Sequence, residues 1–77
     1  MNWRERIVVD PLICHGKACV KGTRVMASVL LDNLAAGEIP KAIAAAYRVA
    51  VDDVQAALLY ASELAAERFV PLAVGAA

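Results

Sequence analysis

The sequence has few aromatic residues, only two cysteines and one histidine, and no excess charge of either sign. The formal net charge of the chain is zero, whereas nucleic-acid-binding domains often carry a strong positive charge. No apolar run approaches the roughly 18–20 residues that are needed to cross a bilayer. The opening six residues lack the apolar stretch of a signal peptide. We therefore predict a cytoplasmic protein that does not associate with a membrane.

Apolar residues, in contrast, are in excess. They make up 61% of the chain, against roughly 45–50% in an ordinary soluble domain. A chain of 77 residues buries only about 60% of the surface that its unfolded form exposes. We therefore expect a second copy or a tightly bound partner to cover part of the apolar surface. We predict a single domain over residues 1–70 and a flexible tail over residues 71–77.

The first third of the chain has the pattern of extended structure. Short apolar runs fill positions 7–9 and 18–21, and they are ended by the turn-forming pair Asp10-Pro11 and by Gly22. The connection between the two runs is too long for a tight hairpin. The two predicted strands therefore form an irregular hairpin or pair with another chain.

The next segment has the apolar period of a helix. Met26, Leu30 and Leu34 recur every four residues. Thr23 is expected to cap the start of this helix, and Gly37 is expected to end it.

A second, shorter helix is predicted to begin at Pro40, since proline favours the first helical position. The residues expected to face inward are Ile43, Ala46 and Tyr47, and those expected to face solvent are Lys41 and Arg48.

A third helix is predicted from about residue 51 to residue 69, with Asp52 and Asp53 at its positive N-terminal end. The apolar residues on its predicted inward face are Val54, Ala57, Leu58, Ala61, Ala65 and Phe69. The apolar residues outside that face are predicted to form an association surface: Leu59, Tyr60 and Leu64. The fold class is therefore mainly α, with a short N-terminal β-hairpin followed by a three-helix, helix-turn-helix-like bundle.

The last two predicted helices have the spacing of a helix-turn-helix motif. In a DNA-binding protein of this type the second helix enters the major groove. Here that helix opens with Asp52 and Asp53, which phosphates would repel, and only Gln55 is suited to reading a base edge. The motif therefore has the shape of a DNA-binding element without the charge.

Cys14, His15 and Cys19 lie within six residues and could each ligate zinc. A structural zinc site takes four ligands, and the chain has no further cysteine or histidine. We expect reduced, buried cysteines and a solvated His15, with no metal site and no cofactor. No nucleophile, base or paired carboxylates have a catalytic arrangement, so we do not expect an enzyme.

The segment from Lys21 to Arg24 joins the second predicted strand to the first predicted helix. In a structural role, Gly22 permits a tight turn, and Arg24 binds backbone carbonyls or Asp10. In a binding role, the backbone N–H groups, the hydroxyl and the guanidinium would contact an anion. The sequence alone leaves both roles open and favours the structural one.

The sequence resembles the bacterial domain-of-unknown-function family 433 over about residues 5–66. The resemblance depends on the run from Asp10 to Arg24 and on two features after it, the segment 34–37 and Tyr47. The signature residues are Asp10, Gly16, Lys17, Gly22, Thr23, Arg24, Gly37 and Tyr47. The departures are His15 in place of a usual glycine, and Ala18 and Arg48 in place of usual prolines.

This resemblance implies a small helix-turn-helix-related domain and, for many members, an antitoxin encoded beside a PIN-like ribonuclease toxin. We therefore expect a protein-interaction module that neutralises such a toxin. Its expected partners are the toxin and a second copy in a homodimer, and no small-molecule substrate is expected. The basic residues expected to contact the toxin or a nucleic acid are Arg4, Arg6, Lys17, Lys21 and Arg24. The alternative is a DNA-binding autoregulator of helix-turn-helix type.

Overall fold

A computed structural model of the chain describes residues 1–67. It has the predicted class, a short β-hairpin followed by three helices. The elements in chain order are a 3₁₀ turn at Trp3–Glu5, β1 at Ile7–Val8, a 3₁₀ turn at Cys14–Gly16, β2 at Cys19–Val20, α1 at Ala27–Ala35, α2 at Pro40–Tyr47 and α3 at Val51–Glu67. Within this part of the chain no helix is both long and apolar enough to cross a membrane. The predicted tail at residues 71–77 and the predicted inward residue Phe69 lie outside the described residues.

The two strands form an antiparallel pair within one chain. The paired residues are Ile7 with Val20 and Val8 with Cys19. A backbone hydrogen bond of 2.8 Å from the Lys21 N–H to the Arg6 carbonyl continues the pairing by one position. Of the two arrangements that the sequence left open, the structure therefore has the hairpin within the chain.

The predicted role of Thr23 as the cap of the first helix is wrong. The N-cap residue of α1 is Met26, which makes no side-chain capping hydrogen bond. The Thr23 hydroxyl donates to the Val20 carbonyl at 2.8 Å and accepts from the Val25 N–H at 3.0 Å. The Val20 N–H also bonds the Val25 carbonyl at 2.8 Å. Because this turn uses residues 20–25, Thr23 stabilises the turn and the helix begins at Ala27.

Gly37 ends α1 as predicted. Its φ of 94° lies in the left-handed region, which glycine adopts without a steric cost. The Gly37 N–H bonds the Leu34 carbonyl and the Glu38 N–H bonds the Asn33 carbonyl, both at 3.0 Å. These two bonds form a Schellman motif, which satisfies carbonyls that the end of the helix would otherwise leave unpaired.

The second helix begins at Pro40 as predicted, but its inward face is rotated from the predicted one. Ile43 and Ala44 are buried and Tyr47 is half-buried, whereas Ala46 is exposed. The prediction for Ala46 is therefore wrong, because the inward-facing residues after Ile43 are Ala44 and Tyr47, one and four positions along the helix. The residues predicted to face solvent are exposed: Lys41 and Arg48.

The third helix begins at Val51, and its side-chain cap comes from Asp53, whose carboxylate accepts the Ala50 N–H at 2.8 Å. Of the predicted inward residues, Val54 and Ala57 are fully buried. The predictions for Leu58 and Ala65 are wrong, because Leu58 is 38% exposed and Ala65 is also exposed. Ala61 is half-buried. Ala56 is buried instead of Leu58, since the face of α3 that packs against the core includes Ala56.

The core lies where the three helices meet the hairpin. Its buried residues are Ile7, Val20, Ala27, Leu30, Ile43, Ala44, Val54, Ala56 and Ala57. Four of these nine are alanines, whose short side chains let the helices approach closely but leave larger apolar residues at the surface. The core therefore does not absorb the apolar excess of the sequence.

Candidate interaction surface

Three side chains near the N-terminus, those of Trp3, Arg4 and Arg6, attach the start of the chain to α3, and we refer to them as the N-terminal clasp. The Trp3 ring meets the Tyr60 ring edge-on, with centroids 5.1 Å apart. The Trp3 indole N–H donates to the Glu63 carboxylate, and an Arg4 guanidinium N–H donates to the other oxygen of that carboxylate at 2.7 Å. The Arg4 guanidinium also lies 4.4 Å from the centroid of the Trp3 ring, which is a cation–π contact.

The third clasp residue, Arg6, contacts the other end of α3. Its guanidinium donates to Asp53 at 3.1 Å and to Asp52 at 3.5 Å. Asp53 thus accepts from Arg6 through one oxygen and from the Ala50 N–H through the other. The clasp therefore fixes the hairpin against both ends of α3 and reduces the negative charge that α3 presents at its start.

The five predicted basic contacts consequently divide into two groups. Arg4 and Arg6 have partners inside the fold, while the three others are exposed: Lys17, Lys21 and Arg24. None of these three forms an ion pair with a side chain of residues 1–66. The carboxylate of Asp10, a suggested partner of Arg24, accepts instead from the Leu12 N–H at 2.8 Å.

An open groove of about 390 Å³ lies between the hairpin connection, the start of α1 and the distal half of α3. Its lining residues are Val9, Gly16, Lys17, Ala18, Ala27, Ser28, Leu31, Tyr60 and Leu64. We refer to it as the Lys17 groove, since Lys17 is the one charged residue that lines it among the residues described. It unites Lys17, from the predicted basic contacts, with Tyr60 and Leu64, from the predicted association surface. Leu59, the third predicted association residue, is half-buried and does not line it.

The apolar lining of the groove is partly open to solvent. Val9 is 56% exposed and Leu64 is 39% exposed, whereas Leu31 and Tyr60 are half-buried. Apolar surface left open beside a single cation is typical of a protein-contact site. The groove therefore offers apolar contacts and one ammonium group to a bound molecule.

Both cysteines are buried, as predicted. The Cys14 thiol donates to the Arg24 carbonyl at 3.4 Å and the Cys19 thiol donates to the Thr23 carbonyl at 3.6 Å. Burial, with the neighbouring Cys14 thiol as a second cause, raises the pKa of the Cys19 thiol. His15 is exposed, and no cluster of three or more metal-ligating side chains exists within the described part of the chain. These contacts give the pair a structural role in holding the turn at residues 23–24.

The signature residues mainly shape turns. Gly16 and Gly22 have φ values of 78° and 79°, where residues with a Cβ are strained. The Asp10 carboxylate holds the turn to Leu12. The Tyr47 hydroxyl accepts a hydrogen bond of 3.0 Å from the Asn33 side-chain amide, which ties α2 to α1. The exposed basic members of the signature, Lys17 and Arg24, remain available for binding.

Sequence reasoning missed the partners of the clasp and the role of Asn33. Trp3 and Glu63 are 60 residues apart, so no local spacing relates them. One signal was present in the sequence: a tryptophan beside two arginines near the start, and a tyrosine and a glutamate three residues apart on the third helix. That pattern could have suggested an aromatic and ionic contact between the two segments.

A family model described as a protein of unknown function, DUF433, matches residues 7–61. The chain belongs to this family. The matched region contains both strands, α1, α2 and most of α3, as well as Val9, Lys17, Leu31 and Tyr60 of the groove. No curated protein and no solved structure matches the chain. All three residues of the N-terminal clasp, and their partner Glu63, lie outside the region that matches the DUF433 model.

The contact of Glu63 with the clasp predicts a pH-dependent contribution to stability. The Trp3 indole N–H, and secondly Arg4, lower the pKa of the Glu63 carboxyl in the folded chain. A lowered folded-state pKa adds stability above the unfolded-state value, and that stability is lost as the pH falls through the folded-state value. Glu63→Gln should therefore unfold at a lower urea concentration than the parent at neutral pH. The difference should shrink towards about pH 3, below the usual carboxyl range.

Glu38→Gln is the control for this comparison, because Glu38 is exposed on the turn after α1 and makes no side-chain hydrogen bond within the described residues. Its urea midpoint should follow the parent at every pH. A Glu63→Gln midpoint that stays equally far below the parent from neutral to acid pH would contradict the proposed charge-assisted contact.

Proposed function

We propose that this DUF433 protein is a cytoplasmic, antitoxin-like interaction module that binds and neutralises a PIN-like ribonuclease. The observation that carries the proposal is the Lys17 groove, which combines exposed apolar residues with the ammonium group of Lys17. Interfaces between proteins combine an apolar centre with a polar rim in this way.

The charge of the proposed partner fits the exposed cations. A nuclease that works through bound metal ions collects carboxylates around its active site. Three cations are exposed and have no ion-pair partner among the side chains of residues 1–66: Lys17, Lys21 and Arg24. Such cations steer association with an acidic surface and raise its rate at low ionic strength.

Self-association is part of the proposal, because large apolar side chains outside the groove lining are also exposed. Leu12 is 89% exposed, Ile39 is 63% exposed and Val51 is 47% exposed. A homodimer that covers part of this surface would leave the groove free for the nuclease.

DNA binding is a second candidate function, and the Arg6 ion pairs favour it. Arg6 bonds both Asp52 and Asp53, so it offsets the charge that would oppose phosphates at the start of α3. The exposed Lys21 and Arg24 supply cations for phosphate contacts. Without a base-reading helix, such binding would have weak sequence preference.

The first function predicts a complex that depends on Leu64. Leu64→Asp should weaken binding to a PIN-like nuclease partner by about tenfold or more, since it places a charge on the apolar wall of the groove. It should also abolish relief of toxicity on co-expression. Leu58→Asp is a matched control, because Leu58 is 38% exposed, Leu64 is 39% exposed, and Leu58 does not line the groove. Calorimetric titration that detects no complex with the parent chain would end this proposal.

The second function predicts salt-dependent binding to the promoter of the gene. The affinity should fall steeply with added salt, because phosphate contacts release counterions. Lys21→Glu should weaken the gel shift more than Lys41→Glu, which changes an exposed lysine on α2. Absence of a shift at low salt would exclude this function.

A further inference from the structure

We infer that the Lys17 groove receives a short apolar segment of the partner protein, with a carboxylate of that segment paired to Lys17. This inference rests on the proposed function and adds which surface is used and what chemistry it recognises. The size of the groove, its single positive charge and the poor fit of a second copy of the chain support this inference.

The groove is large enough for a short segment and too open to hold a small ligand by enclosure. Its volume of about 390 Å³ lies at the low end of the range for ligand-binding clefts. Val9 and Leu64 line it and remain partly exposed, with Leu31 and Tyr60 half-buried between them. An apolar segment would remove these four side chains from water together.

The charge of the groove defines the polar group of the occupant. Lys17 is exposed and forms no ion pair with the side chains of residues 1–66, and no acidic residue of that range lines the groove. A basic segment would meet uncompensated repulsion, and an entirely apolar one would leave the ammonium group without a partner. A carboxylate flanked by apolar side chains satisfies both parts of the surface.

A second copy of the chain fits the groove poorly when the two-fold axis passes through the groove. A two-fold symmetric contact uses the same patch on both subunits. Groove then faces groove at the axis, which leaves the concave space unfilled, and Lys17 approaches the same residue of the other copy. Repulsion between these like charges opposes such a dimer.

The test uses the full chain and the purified PIN-like nuclease as the probe. Val9→Asp and Lys17→Glu should each weaken binding by roughly tenfold or more, because each brings a negative charge towards the carboxylate of the bound segment. Leu58→Asp and Lys41→Glu are the matched controls: both parent residues are exposed and outside the groove. Each control should change the affinity by less than about threefold.

A charge-swap experiment identifies the carboxylate. Each acidic residue of the nuclease that lies beside apolar residues is replaced by lysine in turn. One replacement should restore binding to Lys17→Glu by about tenfold while weakening binding to the parent. Failure of every such replacement to restore binding overturns the pairing with Lys17.

The other outcomes separate this inference from the proposed function. If the parent chain binds no nuclease, the proposed function fails and the inference fails with it. If the parent binds and the groove variants bind equally well, the inference alone is overturned. Conversion of a dimer to a monomer by Val9→Asp, with unchanged nuclease affinity, would assign the groove to a second copy and overturn it. Faster tryptic cleavage after Arg68 in Val9→Asp than in Leu58→Asp, again with unchanged affinity, would assign it to the chain's own residues 68–77 and overturn it.

Discussion

The attachment of the N-terminal segment to α3 is the interaction on which the rest of the structure depends. Trp3 and Arg4 hold Glu63, and Arg6 holds Asp53, which itself caps the helix. Exposed ion pairs individually contribute little stability. The aromatic contact with Tyr60 adds apolar burial to these charges. Together they keep the hairpin beside the distal half of α3, so that Val9 and Leu64 line one groove.

The alanine-rich core explains where the apolar excess goes. Alanine contacts let α1, α2 and α3 pack closely, and most larger side chains of α3 then lie at its edges instead of in its centre. Tyr60 and Leu59 are half-buried, and Leu58 and Leu64 are partly exposed. The excess is therefore not confined to one face of the third helix, since Leu12 and Ile39 carry a share of it. This distribution suits a chain with more than one contact surface.

The sequence predicted the features that depend on local chemistry. Helical periodicity located all three helices, Pro40 and Gly37 marked their limits, and the burial of Cys14 and Cys19 followed from their residue type. It failed where distant segments decide the outcome. The prediction that Thr23 caps a helix is wrong because the sequence does not reveal the turn at residues 20–25 in which Thr23 forms its hydrogen bonds. On α2 the buried face is rotated from the predicted one, so that Ala44 is buried and Ala46 is exposed. The groove could not be predicted, since it combines side chains from three separate segments.

Backbone hydrogen exchange of the full chain, with and without a PIN-like nuclease, would show which residues the nuclease covers. The account predicts that the nuclease slows exchange at residues 16–18 and 60–64, which border the Lys17 groove. It predicts unchanged exchange at Ile43 and Ala44, which lie in the core within α2. Protection confined to residues 48–55, at the start of α3, would contradict the account and direct attention to the helix-turn-helix surface.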